Sequence, residues 1–387
     1  MDRIVKIELT PVFVPFHEDV LKLMQNSKGG LGMAIAAEEP WTGGDFVICK
    51  LIDNHGNTGV GEIFLWLPES GTSPDQVIDV IQNGLCNYVL GESPFNTEKI
   101  RRLMENNVTR NEMAKGLIDM ACYDLMGKIT GRSAHDFMGG QTVDEIPLAA
   151  LIPLMGTDAM IDLCLMLFDG GMRTFRVKLG QSIEHDVEVI SGIREKLGNN
   201  IRLRVDYNQA YSPPEAVRAI RAIEPYHIDF AEQPVAADNY PGMAYVQKSV
   251  DTPIMSHEGC FSLQDITTLV NLGGIGIIGL NSERPGGVTG MLRAISYAET
   301  QGMGAVLHNQ PLGIASAMHI HVAAARHYSL GHATELFGQV MMEDDLIVKP
   351  INYDNGTAKV PEGPGWGVDL DEGALNKYAV SSAVIIN

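Results

Sequence analysis

Residues 201–206 read Ile-Arg-Leu-Arg-Val-Asp, and residues 227–232 read His-Ile-Asp-Phe-Ala-Glu. Residues 253–258 read Pro-Ile-Met-Ser-His-Glu. Each stretch contains a short run of apolar and β-branched residues and ends on a carboxylate. Runs of this length and composition are typical of buried strands. The sequence therefore predicts three strands, each with an acidic side chain at its carboxyl end.

Further strands are predicted on both sides of these three. They cover residues 146–152, 174–179, 276–279, 305–307 and 332–334. Helical stretches separate the strands, and such alternation predicts βαβ units in a parallel sheet. Eight units in one segment predict an α/β fold, a (β/α)8-type barrel. A doubly wound open sheet is the alternative, but no Gly-x-Gly-x-x-Gly sequence follows the first strand.

A separate α+β capping domain is predicted for residues 1–130, before the barrel domain at 131–339. Its expected elements are a strand over 4–14, a hairpin formed by 45–51 and 58–64, and helices over 75–90, 97–107 and 111–130. The tail, residues 340–387, contains no further βα unit, and we expect it to pack back on the capping domain. Two domains suit a chain of 387 residues, because single cores stop growing at about 250–300 residues.

Composition and charge restrict the partners of the protein. The chain carries 28 basic and 48 acidic residues, a net charge of −20. Nucleic acid and anionic membranes are not expected as partners, since they repel such a surface. No apolar run approaches the ~20 residues that cross a bilayer, and the first residues lack a signal-peptide pattern. The five cysteines are scattered, which is typical of reduced thiols. We expect a soluble, cytoplasmic homo-oligomer that acts on a small-molecule carboxylate.

A polar or ionisable residue stands at the end of each predicted strand after the first. These residues are Lys178, Asp206, Glu232, Glu258, Asn281, His308 and Glu335. In a (β/α)8 barrel the carboxyl ends of the strands form one rim, and active sites lie there. Three carboxylates on one rim repel one another unless a cation neutralises them. Oxygen ligands in this number suit Mg2+ or Mn2+, so Asp206, Glu232 and Glu258 are predicted to bind a divalent metal.

Longer motifs around these residues resemble one known family. They are Val-Asp-Tyr-Asn-Gln at 205–209, Phe-Ala-Glu-Gln-Pro at 230–234, Gly-Gly-Val-Thr-Gly at 286–290 and Glu-Leu-Phe-Gly at 335–338, with Val-Gly-Glu at 60–62 and Ala-Cys-Tyr-Asp-Leu-Met-Gly-Lys at 121–128. In sequence and order they are similar to the mandelate racemase and muconate-lactonizing branches of the enolase superfamily. The resemblance implies metal-assisted enolisation of a carboxylate. It also implies a loop of the capping domain, residues 17–44, that closes over the substrate.

The resemblance implies acid/base residues on two strands. The second barrel strand of the family ends Lys-x-Lys, and here it reads Arg176-Val177-Lys178. Lys178 is expected to be a base, while Arg176 either lowers the pKa of Lys178 by repulsion or binds a substrate carboxylate. His308 stands where the racemase-like branch has a catalytic histidine. A solvated lysine and a structural histidine are the alternatives, and the predicted rim position favours catalysis.

Four positions are expected to contact the substrate: Arg176, Asn208, Asn281 and Glu335. Glu335 matches a family residue that hydrogen-bonds the substrate carboxylate, and Asn208, two residues after Asp206, would face the same rim. Asn281 departs from the family, because the racemase-like branch has an aspartate there and the muconate-lactonizing branch a lysine. The subgroup therefore stays open. His257 is either a metal contact or a neighbour of the ligand Glu258.

These residues favour abstraction of the α-proton of a carboxylate, aided by Mg2+. Lys178 and His308 would act on opposite faces of the substrate. Dehydration of a hydroxy acid or acid sugar is expected first, because it is common among relatives that have a lysine and a histidine. Racemisation or epimerisation at the same carbon is second, and cycloisomerisation of a muconate-like diacid is third. A non-catalytic metal-binding barrel, suggested by Asn281, is disfavoured because Lys178, His308 and the three acids are retained together.

Overall fold

The computed structural model describes residues 2–25 and 41–387. Its strands are β1 (Ile4–Pro15), β2 (Gly43–Asp53), β3 (Thr58–Leu65), β4 (Glu145–Pro147), β5 (Ala150–Ile152), β6 (Thr174–Lys178), β7 (Arg202–Asp206), β8 (Ala231–Glu232), β9 (Ile254–Ser256), β10 (Ile277–Leu280), β11 (Gly304–Asn309), β12 (Glu335–Leu336), β13 (Tyr353–Asp354), β14 (Thr357–Lys359) and β15 (Val384–Ile386). Its α-helices are α1 (Glu18–Gln25), α2 (Leu67–Ser70), α3 (Pro74–Asn83), α4 (Thr97–Asn107), α5 (Glu112–Thr130), α6 (Thr157–Asp169), α7 (Ile183–Leu197), α8 (Pro213–Ile223), α9 (Tyr240–Ser249), α10 (Leu263–Leu272), α11 (Gly287–Thr300), α12 (Gly313–Ala325), α13 (His327–Leu330), α14 (Gly338–Met341) and α15 (Glu372–Tyr378).

Strands β5 to β12 form one parallel sheet in which each strand pairs with the next along the chain. A bridge between Leu148 and Thr334 connects its two ends, and the Ala149 N–H donates to the Thr334 carbonyl at 2.9 Å. The sheet therefore curls into a nearly closed barrel, and the predicted (β/α)8-type fold is confirmed.

Alternation along the strands decides which side chains face the interior of the barrel. In β6 the wholly buried Phe175 and Val177 alternate with Arg176 and Lys178. Successive residues of a strand point to opposite faces of the sheet. The apolar set joins the main hydrophobic core, and the polar set points to the barrel axis. Strand β7 repeats the pattern and ends on Asp206.

Three predicted barrel strands differ from the observed ones. The stretch 146–152 divides into β4, which pairs with β14 in a separate three-stranded sheet, and β5, which enters the barrel. The fourth strand was expected over 227–231 but covers Ala231–Glu232, because a 3-10 turn at Glu224–Tyr226 leaves His227 at a φ of 56°. The last strand is Glu335–Leu336 instead of 332–334, so Glu335 lies within the strand. The local amino-acid composition does not show at which residue the hydrogen-bonded pairing with a neighbouring strand begins.

The capping sheet is antiparallel, with the order β15-β1-β2-β3. The predicted hairpin turns at Asp53, whose carboxylate accepts the N–H groups of His55 and Asn57, both at 2.8 Å. Strand β15, from the end of the chain, pairs with β1. The boundaries of the two predicted domains remain a prediction.

Two glycines let helix α5 lie directly on strand β3. A Cβ at Gly59 would come within 2.3 Å of the Ala121 carbonyl oxygen, and one at Gly61 within 2.5 Å of the Leu117 carbonyl oxygen. Any larger residue would therefore separate the helix from the strand. The close packing of α5 on β3 thus explains the glycine of the Val-Gly-Glu motif.

Glu62, the next residue of β3, connects the capping sheet to the barrel. The oxygens of its buried carboxyl group accept the N–H groups of Leu312 (2.7 Å), Ile314 (3.1 Å) and Ala315 (3.1 Å) at the start of α12. These are N–H groups that a helix cannot satisfy by itself. Glu62 therefore fixes the cap above the segment that carries His308.

The loop predicted over residues 17–44 is described only at its two ends. Helix α1 follows Phe16, and β2 begins at Gly43. Trp41 stacks on Trp66, with ring centroids 4.8 Å apart. Residues 26–40, where most of the predicted lid falls, lie outside the described residues. Within residues 2–25 and 41–387, no helix is long and apolar enough to cross a membrane.

Candidate active site

All nine predicted site residues are buried at the carboxyl ends of the barrel strands or directly after them. They are Arg176, Lys178, Asp206, Asn208, Glu232, Glu258, Asn281, His308 and Glu335. They come from seven successive units of the barrel, β6 to β12. Hydrogen bonds connect all of them except His308, which lies 3.6 Å from Glu232, and Asn281, which contacts His257. The recurrence seen in the sequence thus corresponds to one site.

The Arg176 guanidinium lies at the centre of this network. Nε donates to Glu232 (2.8 Å), Nη1 to Glu335 (2.7 Å), and Nη2 to both Asp206 and Glu232. Burial alone would lower the pKa of Arg176, but the charges of the three carboxylates outweigh it and raise that pKa well above its ordinary value. In this structure Arg176 binds protein carboxylates. Its predicted role as a clamp for a substrate carboxylate would require it to exchange one of them.

Lys178 reaches the rim beside Asp206. Its ammonium donates to the Asp206 carboxylate and to Asn208 Oδ1 at 2.6 Å. Burial would raise the pKa of Asp206, but the charges of Arg176 and Lys178 outweigh it and lower that pKa. Asn208 in turn donates from Nδ2 to Glu258 Oε1 at 3.1 Å. A single chain of contacts therefore joins the lysine to two of the three predicted metal ligands.

Asp206, Glu232 and Glu258, the three carboxylates predicted to bind a divalent cation, all lie at this rim, and the Arg176 guanidinium contacts two of them. Glu258 Oε2 is buried and has no hydrogen-bond partner among the residues that the structure describes. Burial raises the pKa of Glu258 to about 7, and the charge of Asp206 adds to the effect. Burial also raises the pKa of Glu232 well above its ordinary value, although Arg176 opposes the shift. A hard cation such as Mg2+ would supply positive charge that this buried group of carboxylates lacks.

His308 and His257 lie side by side on the other part of the rim, with ring centroids 3.8 Å apart. His308 Nε2 is 3.6 Å from Glu232 Oε1, and His257 Nδ1 is 3.7 Å from the same oxygen. Among the described residues, His308 Nε2 has no hydrogen-bond partner. Burial holds the pKa of both rings well below the ordinary value, so both are neutral near pH 7. His308 is thus free to accept a proton from a bound molecule.

Asn281 is paired with His257 and not with His308. Its Nδ2 donates to His257 Nε2 at 2.9 Å, while its Oδ1 accepts the Arg284 N–H at 2.8 Å. The Arg284 guanidinium also donates to His257 Nε2, at 3.0 Å. Because both partners are donors, Nε2 must accept and the proton of the ring must sit on Nδ1. Glu232, His257 and His308 offer atoms within 4.8 Å of one another and could hold a metal ion; of the three predicted carboxylate ligands, this group contains Glu232 alone.

Three residues of the site were missed in the sequence. Arg204 donates to Glu335 Oε2 at 3.0 Å, and Arg284 contacts both His257 and Glu69. The alternation of β7 could have revealed Arg204, because it shares a strand face with Asp206. Glu69 lies in the capping domain, 215 residues from Arg284, and no local pattern indicates that contact.

The rim opens into two adjoining cavities. A small polar cavity of about 40 Å3 is lined by residues that include Lys178, His257, Arg284 and His308. A larger cavity of about 350 Å3 shares Lys178, Gln310 and Phe337 with it and is otherwise mainly apolar. Lys178 therefore lies at the junction of a polar and a mainly apolar space.

Comparison with known proteins agrees with this geometry. Residues 31–139 match the model of the mandelate racemase and muconate lactonizing enzyme N-terminal domain, and residues 159–374 match the enolase C-terminal domain-like model. The chain belongs to the mandelate racemase and muconate lactonizing enzyme family. The predicted resemblance to this branch of the enolase superfamily is therefore confirmed, and so is the expectation of an enzyme.

Relatives within the family carry several activities. The N-succinyl-L-Arg/Lys racemase of Bacillus cereus is 27% identical over 88% of this chain and 91% of its own length, and its crystal structure superposes with a TM-score of 0.89 over both whole chains. The hydrophobic dipeptide epimerase of Enterococcus faecalis is 34% identical over 76% of this chain and 83% of its own. A dipeptide epimerase structure from that organism, with Mg and L-Leu-L-Tyr, has a TM-score of 0.84, 26% identity and coverage of 95% and 99%. The chloromuconate cycloisomerase of Cupriavidus pinatubonensis is 28% identical over 87% and 92%.

Proposed function

We propose that this family member is a racemase or epimerase that inverts the carbon next to a carboxylate, with Lys178 and His308 as its two acid/base groups. One observation carries the proposal. Lys178 on β6 and His308 on β11 line the same cavity from different sides of the barrel mouth, with Glu232 and Asp206 between them. Inversion needs one group on each face of the reacting carbon.

The proton states of the two groups suit this reaction. The Lys178 Nζ is in ion-pair contact with Asp206 and donates to Asn208, whereas burial holds the pKa of His308 well below its ordinary value and keeps that ring neutral. One group can remove a proton while the other delivers one, and after turnover their states are exchanged. The same pair then works in the reverse direction, as a racemase requires.

A divalent cation would be held by Asp206, Glu232 and Glu258. When bound, it supplies positive charge beside the substrate carboxylate and so stabilises the charge that develops there. The chain itself holds the lysine through Asp206 and Asn208. All these groups are buried, which would limit the access of bulk water to a carbon bound among them.

Relatives favour inversion over dehydration as the outcome. The racemase, the epimerase and the cycloisomerase named above all rearrange a substrate without loss of water, as their names state. The dehydration expected first from the sequence has no counterpart among these three. It remains the alternative outcome of the same proton abstraction.

The test is to supply Mg2+ and a library of N-acylamino acids, dipeptides and hydroxy acids in D2O. Deuterium uptake at the α-carbon is followed by NMR, and configuration by chiral chromatography. The unaltered protein should exchange and invert a substrate. Lys178→Ala and His308→Asn should each lose inversion by about 10²–10⁴-fold. Each should still exchange one enantiomer, the one whose proton faces the remaining group.

His55→Asn provides the control, because that histidine is 56% exposed and lies in the turn of the capping hairpin. Retained inversion in Lys178→Ala or His308→Asn would contradict the two-base proposal. Loss of water without inversion would identify the dehydration alternative instead.

A further inference from the structure

We infer that the substrate carries an apolar group on its reacting carbon, of leucine to phenylalanine size, and that this group occupies the 350 Å3 cavity beside Lys178. The inference rests on the proposed function, because it places the reacting carbon at Lys178. The residues named as lining this cavity all lie in the described part of the chain. Three of them, Lys178, Gln310 and Phe337, also line the polar cavity, so the two cavities adjoin.

The chemistry of the walls indicates the group that fits. Six of the side chains that line the cavity are Leu151, Leu163, Leu167, Met172, Leu336 and Met341. Among the described residues that line it, none is acidic and Lys178 is the sole cation. A cationic side chain placed there would have no acidic partner, and an anionic one would have to compete with Asp206 and Asn208 for Lys178. Burial of an unpaired charge is strongly unfavourable. An apolar group loses no hydrogen bonds when it leaves water, and its burial is favourable.

The same argument disfavours a polyhydroxylated acid in this cavity. Each sugar hydroxyl needs hydrogen-bond partners when it leaves water. Among the described lining residues, the polar side chains apart from Lys178 are the amides of Gln310 and Gln339 and the indole of Trp41. A hydroxyl-rich chain would therefore leave several groups unsatisfied.

The volume sets an upper limit to the group. An engineered apolar cavity of about 150 Å3 accepts benzene, so a cavity of about 350 Å3 has room for a leucine, methionine or phenylalanine side chain. Two leucines of α6, Leu163 and Leu167, form one wall and are only partly buried in the structure. A ligand would complete their burial.

Matched substrate pairs test the inference. The N-acetyl derivatives of norleucine and lysine share a four-carbon stem and differ in the terminal charge, and those of methionine and glutamine are similar in size but differ in polarity. We expect kcat/KM for α-deuterium exchange to favour the apolar member of each pair by at least about 10-fold, because a hydrophobic pocket discriminates by about 10–200-fold. Equal or better exchange of the lysine and glutamine derivatives would overturn the inference.

Two variants of the wall give a second readout. Leu167→Asp should lower kcat/KM for the norleucine derivative and raise it for the lysine derivative, since it supplies a partner for the ammonium group. Leu163→Phe should reduce the room and penalise phenylalanine derivatives more than alanine derivatives. Leu272→Asp is the control, because Leu272 is exposed and lies on α10, away from the cavity. An unchanged preference in both wall variants would contradict the assignment of this cavity.

Failure of the inference and failure of the proposed function are distinguishable. If no carboxylic acid in the library exchanges its α-proton, the proposed function fails. If polar or charged substrates exchange as well as apolar ones, the acid/base assignment stands and the inferred substrate class is wrong.

Discussion

Glu62 offers the sharpest test of how the cap is attached to the barrel. Replacement by Ala removes the acceptor of three buried N–H groups, those of Leu312, Ile314 and Ala315. Each unsatisfied buried N–H costs about 1–3 kcal/mol, and some relief comes as the start of α12 relaxes. We expect Glu62→Ala to lower the free energy of unfolding by about 3–5 kcal/mol.

The assay is urea unfolding followed by circular dichroism and by the fluorescence of the tryptophans. Glu372→Ala is the matched control, because Glu372 is 62% exposed and its ion pair with Lys50 is at the surface, where such pairs are worth about 0–1 kcal/mol. A loss below about 1 kcal/mol for Glu62→Ala would refute the reasoning.

The same residue predicts a pH dependence. Burial raises the pKa of Glu62 from 4.5 to about 8, despite its backbone hydrogen bonds. The folded protein therefore keeps a proton that the unfolded chain releases, and stability should decline as the pH rises from about 4.5 to 8. Glu62→Gln retains a carbonyl acceptor but cannot titrate, so its stability should lack that decline. If the free energy of unfolding depends on pH in the same way in both proteins, the decline does not arise from Glu62.

Three further predictions follow from the rest of the structure. Burial lowers the pKa of His319 to about 4 and that of His321 to about 3. The contribution of these two histidines to the free energy of unfolding should therefore be fully present above about pH 6.5 and should be lower by about 2 kcal/mol per histidine at pH 5. His321→Gln should reduce this loss, as measured by urea unfolding at each pH. An unchanged loss in the variant would contradict the assignment to His321. The 15N NMR spectrum of His257 should show a protonated Nδ1, and Asn281→Asp should move the proton to Nε2 or add one there. A protonated Nε2 in the unaltered protein would disprove the donor arrangement. Added Mg2+ should stabilise the protein by about 2.7 kcal/mol at a hundred times its Kd, which calorimetry can follow, and Glu258→Gln should need far more Mg2+ for the same gain. An equal response in both proteins would exclude Glu258 as a ligand.

Much of the barrel and the identity of its rim residues could be predicted from sequence, because both depend on local patterns. Apolar runs that alternate with helices indicate strands, and a carboxylate at the end of such a run marks the rim. Asp206, Glu232 and Lys178 needed nothing more than this spacing. The ends of the strands were less predictable, as the shift of the last strand to Glu335 shows, because ladder pairing depends on a neighbour distant in the chain.

Which rim residues act together was decided by tertiary structure. Asn281 and His308 follow neighbouring strands of the barrel, yet Asn281 bonds His257, and its Oδ1 accepts the Arg284 N–H. Arg176 lies among three carboxylates that come from strands 30, 56 and 159 residues further along the chain. The apolar cavity likewise has walls from α6, β5 and β12. Sequence spacing determines which face of a strand a side chain occupies, whereas hydrogen-bond partners and cavities depend on distances between segments that only folding brings together.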